Sequence, residues 1–203
     1  MRKSYNEVYI DKLCLDEYLD VLKYVEKFKP KKILDIGCGF GVLLGLLRER
    51  GFNAIGIDLD KDHVKICTSK GLNAKNGDAH KLPFKSDSFD MVTLLQVLEH
   101  CKDHDIVFKE VYRVLKKKGK FICTVPSGAG EGAWGDSTHL RGYSRRGLCQ
   151  LAVDNDFKVL DVYATSTIGE NKLKFLTPLF RKMVNSRLFS YLQGSIYLIC
   201  EKQ

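Results

Sequence analysis

Three glycines at alternate positions follow a short apolar run and an acid in ILDIGCGFG, residues 33–41. Gly37, Gly39 and Gly41 would break a strand or a helix interior. They suit a backbone that turns sharply and that a ligand approaches closely. If Ile33, Leu34 and Ile36 form a buried strand, this loop lies beyond its carboxyl end, where open α/β sheets bind ligands. A helix starting near Gly41 would turn its first N–H groups to the same place, which suits an anionic group. A second acid, Asp58, closes NAIGID, about twenty residues beyond the loop, and can accept both hydroxyls of a ribose there. That favours an adenosine ligand without a 2′-phosphate. Asp60, directly before a helical run, reads instead as an N-cap. The spacing is GxGxG. Val42 or Leu44 stands where a dinucleotide fingerprint needs its third glycine, which argues against a nicotinamide-dependent oxidoreductase.

Proton-transfer groups gather in two later segments. Glu99 and His100 follow the fourth strand. The stretch GAWGDSTHLRGYS, residues 132–144, carries Trp134, Asp136, His139, Arg141 and Tyr143 after the fifth. It is too polar and aromatic for an idle connection and reads as a substrate-facing loop. His139 is the first candidate for a base or substrate orienter, and His100 the second. His63 and His104 read as exposed helix residues. The seven cysteines are scattered and never spaced as CxxC, which excludes a disulfide framework and a zinc knuckle. Cys38 reads as a small residue in a tight turn.

The elements that must position these groups alternate between strand and helix. Helices are expected over 11–28, 41–50, 60–70, 103–117 with Gly119 as stop, and 144–154. Strands are expected over 32–36, 53–58, 72–76, from Phe89, and over 120–126, 157–165 and 195–202. Such alternation implies βαβ units and a mainly parallel sheet. The length of 203 residues suits one domain. The net charge of +8 lies largely in short clusters: Lys29, Lys31 and Lys32; Lys116–Lys118 with Lys120; Arg145 and Arg146. These read as solvated helix ends and loops, with an acidic substrate, an anionic membrane or RNA as the alternatives. No apolar run approaches a membrane span, and the N-terminus lacks a signal-peptide core, so a cytoplasmic protein is expected.

Taken in order, ILDIGCGFG, GIDLD, GDAHKLPFKSDSFDMVTLLQVLEH and EVYRVLKKKGKFICTVP resemble the motifs of class I S-adenosylmethionine-dependent methyltransferases. The nearest branch is the small-molecule type that includes ubiquinone-biosynthesis enzymes. The resemblance implies a Rossmann-like, doubly wound sheet of seven strands in order 3-2-1-4-5-7-6. The last-formed strand would run antiparallel between its neighbours. The cofactor would be S-adenosyl-L-methionine. Asp35, Gly37, Cys38, Gly39 and Gly41 would surround its methionine part. Asp58 would take the ribose, with Leu59 beside the adenine. Asp78 and Ala79 would meet the adenine edge, near His80, and Gln96 would lie near the sulfonium. Some ubiquinone O-methyltransferases and small-RNA 2′-O-methyltransferases bind a divalent metal through ExxEH at this point. Here Gln96 replaces the first acid, so no metal ligands are expected. The resemblance thus implies methyl transfer to a small molecule, most readily to oxygen. RNA or protein methylation and a non-catalytic partner subunit are the alternatives. No nucleic-acid module is added to the core domain. Residues 170–192 mix Leu and Phe with Lys and Arg, and read as core helix, substrate lid or peripheral membrane contact.

Overall fold

The computed structural model describes residues 5–129, 133–166 and 193–203. Helix α1 (Tyr5–Phe28) precedes β1 (Ile33–Ile36), α2 (Val42–Glu49), β2 (Ala54–Asp58), α3 (Lys61–Ser69) and β3 (Ala74–Asn76). There follow β4 (Phe89–Leu95), a 3-10 turn (Leu98–His100), α4 (His104–Val114), β5 (Leu115–Pro126), α5 (Arg145–Asp154), β6 (Phe157–Ser166) and β7 (Gln193–Lys202). The sheet has the expected order, 3-2-1-4-5-7-6. Its first five strands are parallel, and β7 runs antiparallel between β5 and β6. The expected segment 170–192 lies outside the described residues.

Burial explains the layering. All four residues of β1 are buried, as a strand covered on both faces requires. On one face α1 sets Val21, Leu22 and Val25 against Ile33, Met91, Ile122 and Ile199. On the other, Val107, Phe108, Val111 and Val114 of α4 join Leu148 and Leu151 of α5 over Leu34, Val92 and Phe121. The caps are local and readable. Asp60 accepts from the Asp62 amide, Asp103 from Ile106 and Ser144 from Gly147.

One boundary differs. The helix expected to run to 117 ends at Val114, and Gly119 is not its stop. Leu115 is buried and extended, and pairs with Phe89 as the chain enters β5. Burying Leu115 in the sheet outweighs the helix propensity of the lysines that follow. Gly119 is needed for a different reason: a Cβ there would sit 2.7 Å from the Lys116 carbonyl oxygen.

Candidate active site

The glycine loop closes on itself and on the end of β2. Gly37, Gly39 and Gly41 take positive φ of 72°, 50° and 80°. A Cβ on Gly37 would collide with Val97, and one on Gly41 would lie 2.5 Å from Leu72. The amides of the loop itself are mostly committed to backbone partners. The Gly37 and Cys38 amides donate to the Ile57 carbonyl and Gly41 to Cys38. The Gly39 amide donates to Asp58 Oδ2 at 2.8 Å. The Cys38 side chain is buried with Cys67, Leu72 and Ala74, and burial pushes its thiol up. It is the small turn residue expected.

Asp58 therefore organises the loop as well as the end of β2. Its Oδ1 accepts from the Asp60 amide at 2.9 Å and faces His63 Nδ1 at 3.2 Å. His63 is not the exposed helix residue expected. It is half-buried, paired with Asp58 and in edge contact with the Phe40 ring, the centroids 4.6 Å apart. Asn76 ties the end of β3 to this corner by donating to the Asp58 and Leu59 carbonyls. Beyond it Asp78, exposed, accepts from the His80 amide and faces His80 Nδ1 at 2.8 Å. Ala79 packs on the core. Below the loop Asp35 is buried and accepts from Thr93 Oγ1 at 2.7 Å. Desolvation, and secondarily the charge of Asp58, push its carboxyl up to about 7.

At the end of β4 the backbone of Gln96 takes a φ of +54°. Its side-chain amide donates from Nε2 to Glu17 Oε1 at 2.8 Å and to Ser195 Oγ at 3.0 Å, tying α1 and β7 to the strand end. Burial raises the Glu17 carboxyl above the ordinary glutamate range.

The next turn brings together residues far apart in sequence. The His100 and His139 rings are 4.8 Å apart, and one ligand atom each from Glu99, His100 and His139 lies within 4.8 Å of the others. Hydrogen bonds settle the tautomers. Thr138 gives its hydroxyl proton to Asp136 Oδ1 at 2.6 Å, so it accepts from His100 Nδ1 at 3.1 Å. His139 Nδ1 donates to the Ala133 carbonyl at 2.9 Å. Each ring thus keeps the lone pair of Nε2 for another partner. Both carboxylate oxygens of Glu99 are buried without a hydrogen-bond partner. Burial drives this carboxyl up to about 8.

The loop that carries His139 is pinned from behind. Arg141 donates to His104 Nδ1 and to the Lys102 carbonyl, and Tyr143 faces His104. His104 is therefore a loop bracket, not a free surface residue. Desolvation and the Arg141 charge hold its pKa down, which suits the acceptor role. Trp134 and Leu140 of the same loop stay 64% and 53% exposed.

The family described as "Methyltransferase domain" matches residues 34–123, the span from β1 to β5 that carries the loop, Asp58, Asp78 and Gln96–His100. That match spans under half of the chain, and the sheet order around it is that of the class I S-adenosylmethionine-dependent methyltransferase fold. The chain is 34% identical over 99 residues to a ubiquinone biosynthesis O-methyltransferase of Idiomarina loihiensis, covering 45% of this chain and 41% of that protein. It is 37% identical over 95 residues to norajmaline N-methyltransferase of Rauvolfia serpentina, covering 42% and 32%. The chain thus spans less than half the length of these relatives. A crystal structure of a SAM dependent methyltransferase from Archaeoglobus fulgidus superposes with TM-score 0.75 at 20% identity, covering 98% of this chain and 100% of that one. That likeness is one of fold.

The family's cofactor is S-adenosyl-L-methionine, and the residues present suit it. A Cβ on Gly39 would meet nothing within 4 Å, so open space borders the loop there. Leu59, 72% exposed, and Phe40, 40% exposed, flank Asp58 as apolar surface left without cover. A carboxylate between two uncovered apolar side chains matches a ribose next to a flat base. Four contributors escaped the sequence reading: His63, Asn76, Glu17 and Thr138. Only His63, five residues beyond Asp58 on the following helix, had a local cue.

Proposed function

We propose that this protein transfers a methyl group to a small-molecule acceptor, with a hydroxyl as the favoured nucleophile and His139 as its base. The observation that carries this reading is the His139 ring. Its Nδ1–H is committed to Ala133, so Nε2 is available to take a proton beside His100. The cofactor supplies a methyl already activated on positive sulfur. What remains for the protein is orientation, which contributes roughly 7–11 kcal/mol when geometry is held, and removal of a hydroxyl proton.

In this reading Asp58 binds the ribose, Leu59 and Phe40 border the adenine, and Asp78 and Ala79 meet its edge. Asp35, Gly37, Cys38, Gly39 and Gly41 frame the methionine part, with Gln96 at the strand end beside it. Trp134 and Leu140 offer an apolar wall to the acceptor. The likeness to a ubiquinone-type O-methyltransferase and to an N-methyltransferase supports small acceptors and leaves the atom to experiment. The test is turnover against panels of catechols, phenols and amines. His139→Ala should lower kcat on hydroxyl acceptors by about 10²–10⁴-fold with cofactor affinity unchanged. Turnover of amines alone, indifferent to His139, would overturn the oxygen assignment.

A second reading is favoured by the orphaned Glu99 carboxylate. Glu99, His100 and His139 have the donor chemistry of a divalent-cation site, with both Nδ1–H groups held by second partners as metal-ligating histidines usually are. Such a cation would polarise the acceptor oxygen. Saturable manganese binding by paramagnetic resonance, lost in Glu99→Gln, would establish it. A spectrum of free manganese at all ratios would dismiss it.

A further inference from the structure

The opposite end of the sheet holds a cavity of about 390 Å³ that the methyl-transfer reading does not use. Its walls are the end of α1 at Phe28 and Lys29, the entry to β1 at Lys31, Asp90 near the start of β4, and residues 116–120 at the start of β5. The candidate active site lies at the carboxyl ends of the same strands. Across the seven residues of β4 the two are separated by on the order of 20 Å.

The lining sets six lysines against one carboxylate, Asp90. Asp90 holds Lys116 at 2.9 Å and accepts from the Lys32 amide at 2.9 Å. Lys120 reaches Glu201. Lys29, Lys31, Lys117 and Lys118 are exposed, and Lys118 acts on Glu201 through its charge alone.

A second observation is independent of charge. Among the described residues, five that are not glycine have positive φ: Lys29, Asp87, Gln96, Lys118 and Asp156. Aspartate tolerates that region; long side chains do so rarely. Of the three unusual ones, Gln96 sits in the candidate active site. The other two, at φ 48° and 62°, are lysines of this cavity. Lys29 occupies the position after a helix where glycine is the ordinary choice, its amide donating to the Val25 carbonyl. Strain kept at two lysines on one cavity points to a use for their charge.

We propose that this cavity is a second ligand site, for a small anion carrying two or more adjacent phosphates. The lysines border one cavity of limited volume, which suits a compact ligand. Several lysine ammonium groups in one place give point charges that suit the densely charged oxygens of adjacent phosphates. Phe28 is no open platform for a nucleic-acid base. Lys27 and Lys120 already lie over its ring at 5.4 and 5.3 Å.

The test is calorimetric titration of the full chain with inorganic tripolyphosphate, with single-stranded RNA and with anionic vesicles as separate arms. Saturable binding of one tripolyphosphate per chain is expected, weakening as salt is raised. Lys29→Gly with Lys118→Gly should weaken it about tenfold, while Tm holds or rises because glycine relieves the backbone. S-adenosylhomocysteine binding should be unchanged. A charge-matched control, Lys85→Ala with Lys109→Ala, should leave tripolyphosphate affinity within about twofold. The proposal is overturned by absence of saturable binding or by several equivalents per chain. Equal loss in the control, or binding confined to RNA or vesicles, overturns it as well.

Discussion

At the residue scale the two buried or half-buried aspartates do opposite things. Asp58 commits both oxygens to its surroundings, accepting from two backbone amides and facing a histidine. Removing it should loosen the glycine loop as well as the ribose contact. Asp58→Asn retains the shape but gives an amide one acceptor oxygen instead of two. S-adenosylhomocysteine affinity should fall by about tenfold or more, since charge-assisted hydrogen bonds of this kind are worth about 1.5–3 kcal/mol. Titration calorimetry reads it directly. Among the described residues Asp35 has no cation beside it, and its raised pKa makes the folded state disfavour the charged form. The stabilisation it gives is complete below the ordinary aspartate range and is lost as pH rises through about 7. Asp35→Asn should therefore raise the Tm of the ligand-free protein at pH 8 and change it little at pH 4. A mutant no more stable than wild type at pH 8 would show that Thr93 and solvent already neutralise the cost. A ligand ammonium placed near Asp35 would also expel a proton near pH 6.5. Calorimetry in two buffers of different ionisation heat would detect that release.

At the scale of elements the loop after β1 separates folding from binding. Gly41→Ala meets both a φ of +80° and the Leu72 and Cys67 side chains. It should cost roughly 2–4 kcal/mol, the sum of left-handed strain and overpacking. Gly39→Ala meets only strain, at φ +50° with open space around the new methyl, and should cost about 1–2 kcal/mol. Yet that open space borders the candidate cofactor site, so Gly39→Ala should be the more damaging of the two to S-adenosylhomocysteine binding per unit of lost stability. Chemical denaturation paired with calorimetry gives both numbers. The glycine turn and the alternation of strands with helices were legible in the sequence because period and turn chemistry pointed the same way, whereas the strand order was implied only by the resemblance of the motifs to a known family. The end of α4 was not. Lysines 116–118 carry good helix propensity, and only the pairing of Leu115 with Phe89 across the sheet ends the helix. Glu17 was invisible for a related reason: its partner, Gln96, is 79 residues away, and no local pattern encodes such a pair. His100 and His139 were each readable as candidates. Their meeting, and the tautomers set by Thr138 and Ala133, required the fold.

At the scale of the molecule, the ends of β1, β2, β3 and β4 converge on one rim, and each contributes a residue to it. Gly37 and Gly39 follow β1, Asp58 ends β2, Asn76 ends β3 and Gln96 follows β4. Gln96 in turn holds α1 through Glu17 and β7 through Ser195. A ligand that bridges this rim binds only the folded arrangement, so its free energy is added to the stability of the whole domain. At a hundred times its Kd, S-adenosylhomocysteine should stabilise the protein by about 2.7 kcal/mol, or roughly 5–10 °C in Tm for a chain of this size. The gain should not be uniform in hydrogen exchange. Amides of the loop after β1 and of β2 should slow most. Those of α5 and β6 contribute no rim residue and should slow only as far as global unfolding limits them. Protection confined to the loop, with no rise in Tm, would mean that the rim closes locally and that the strand ends are not coupled through Asp58 and Gln96.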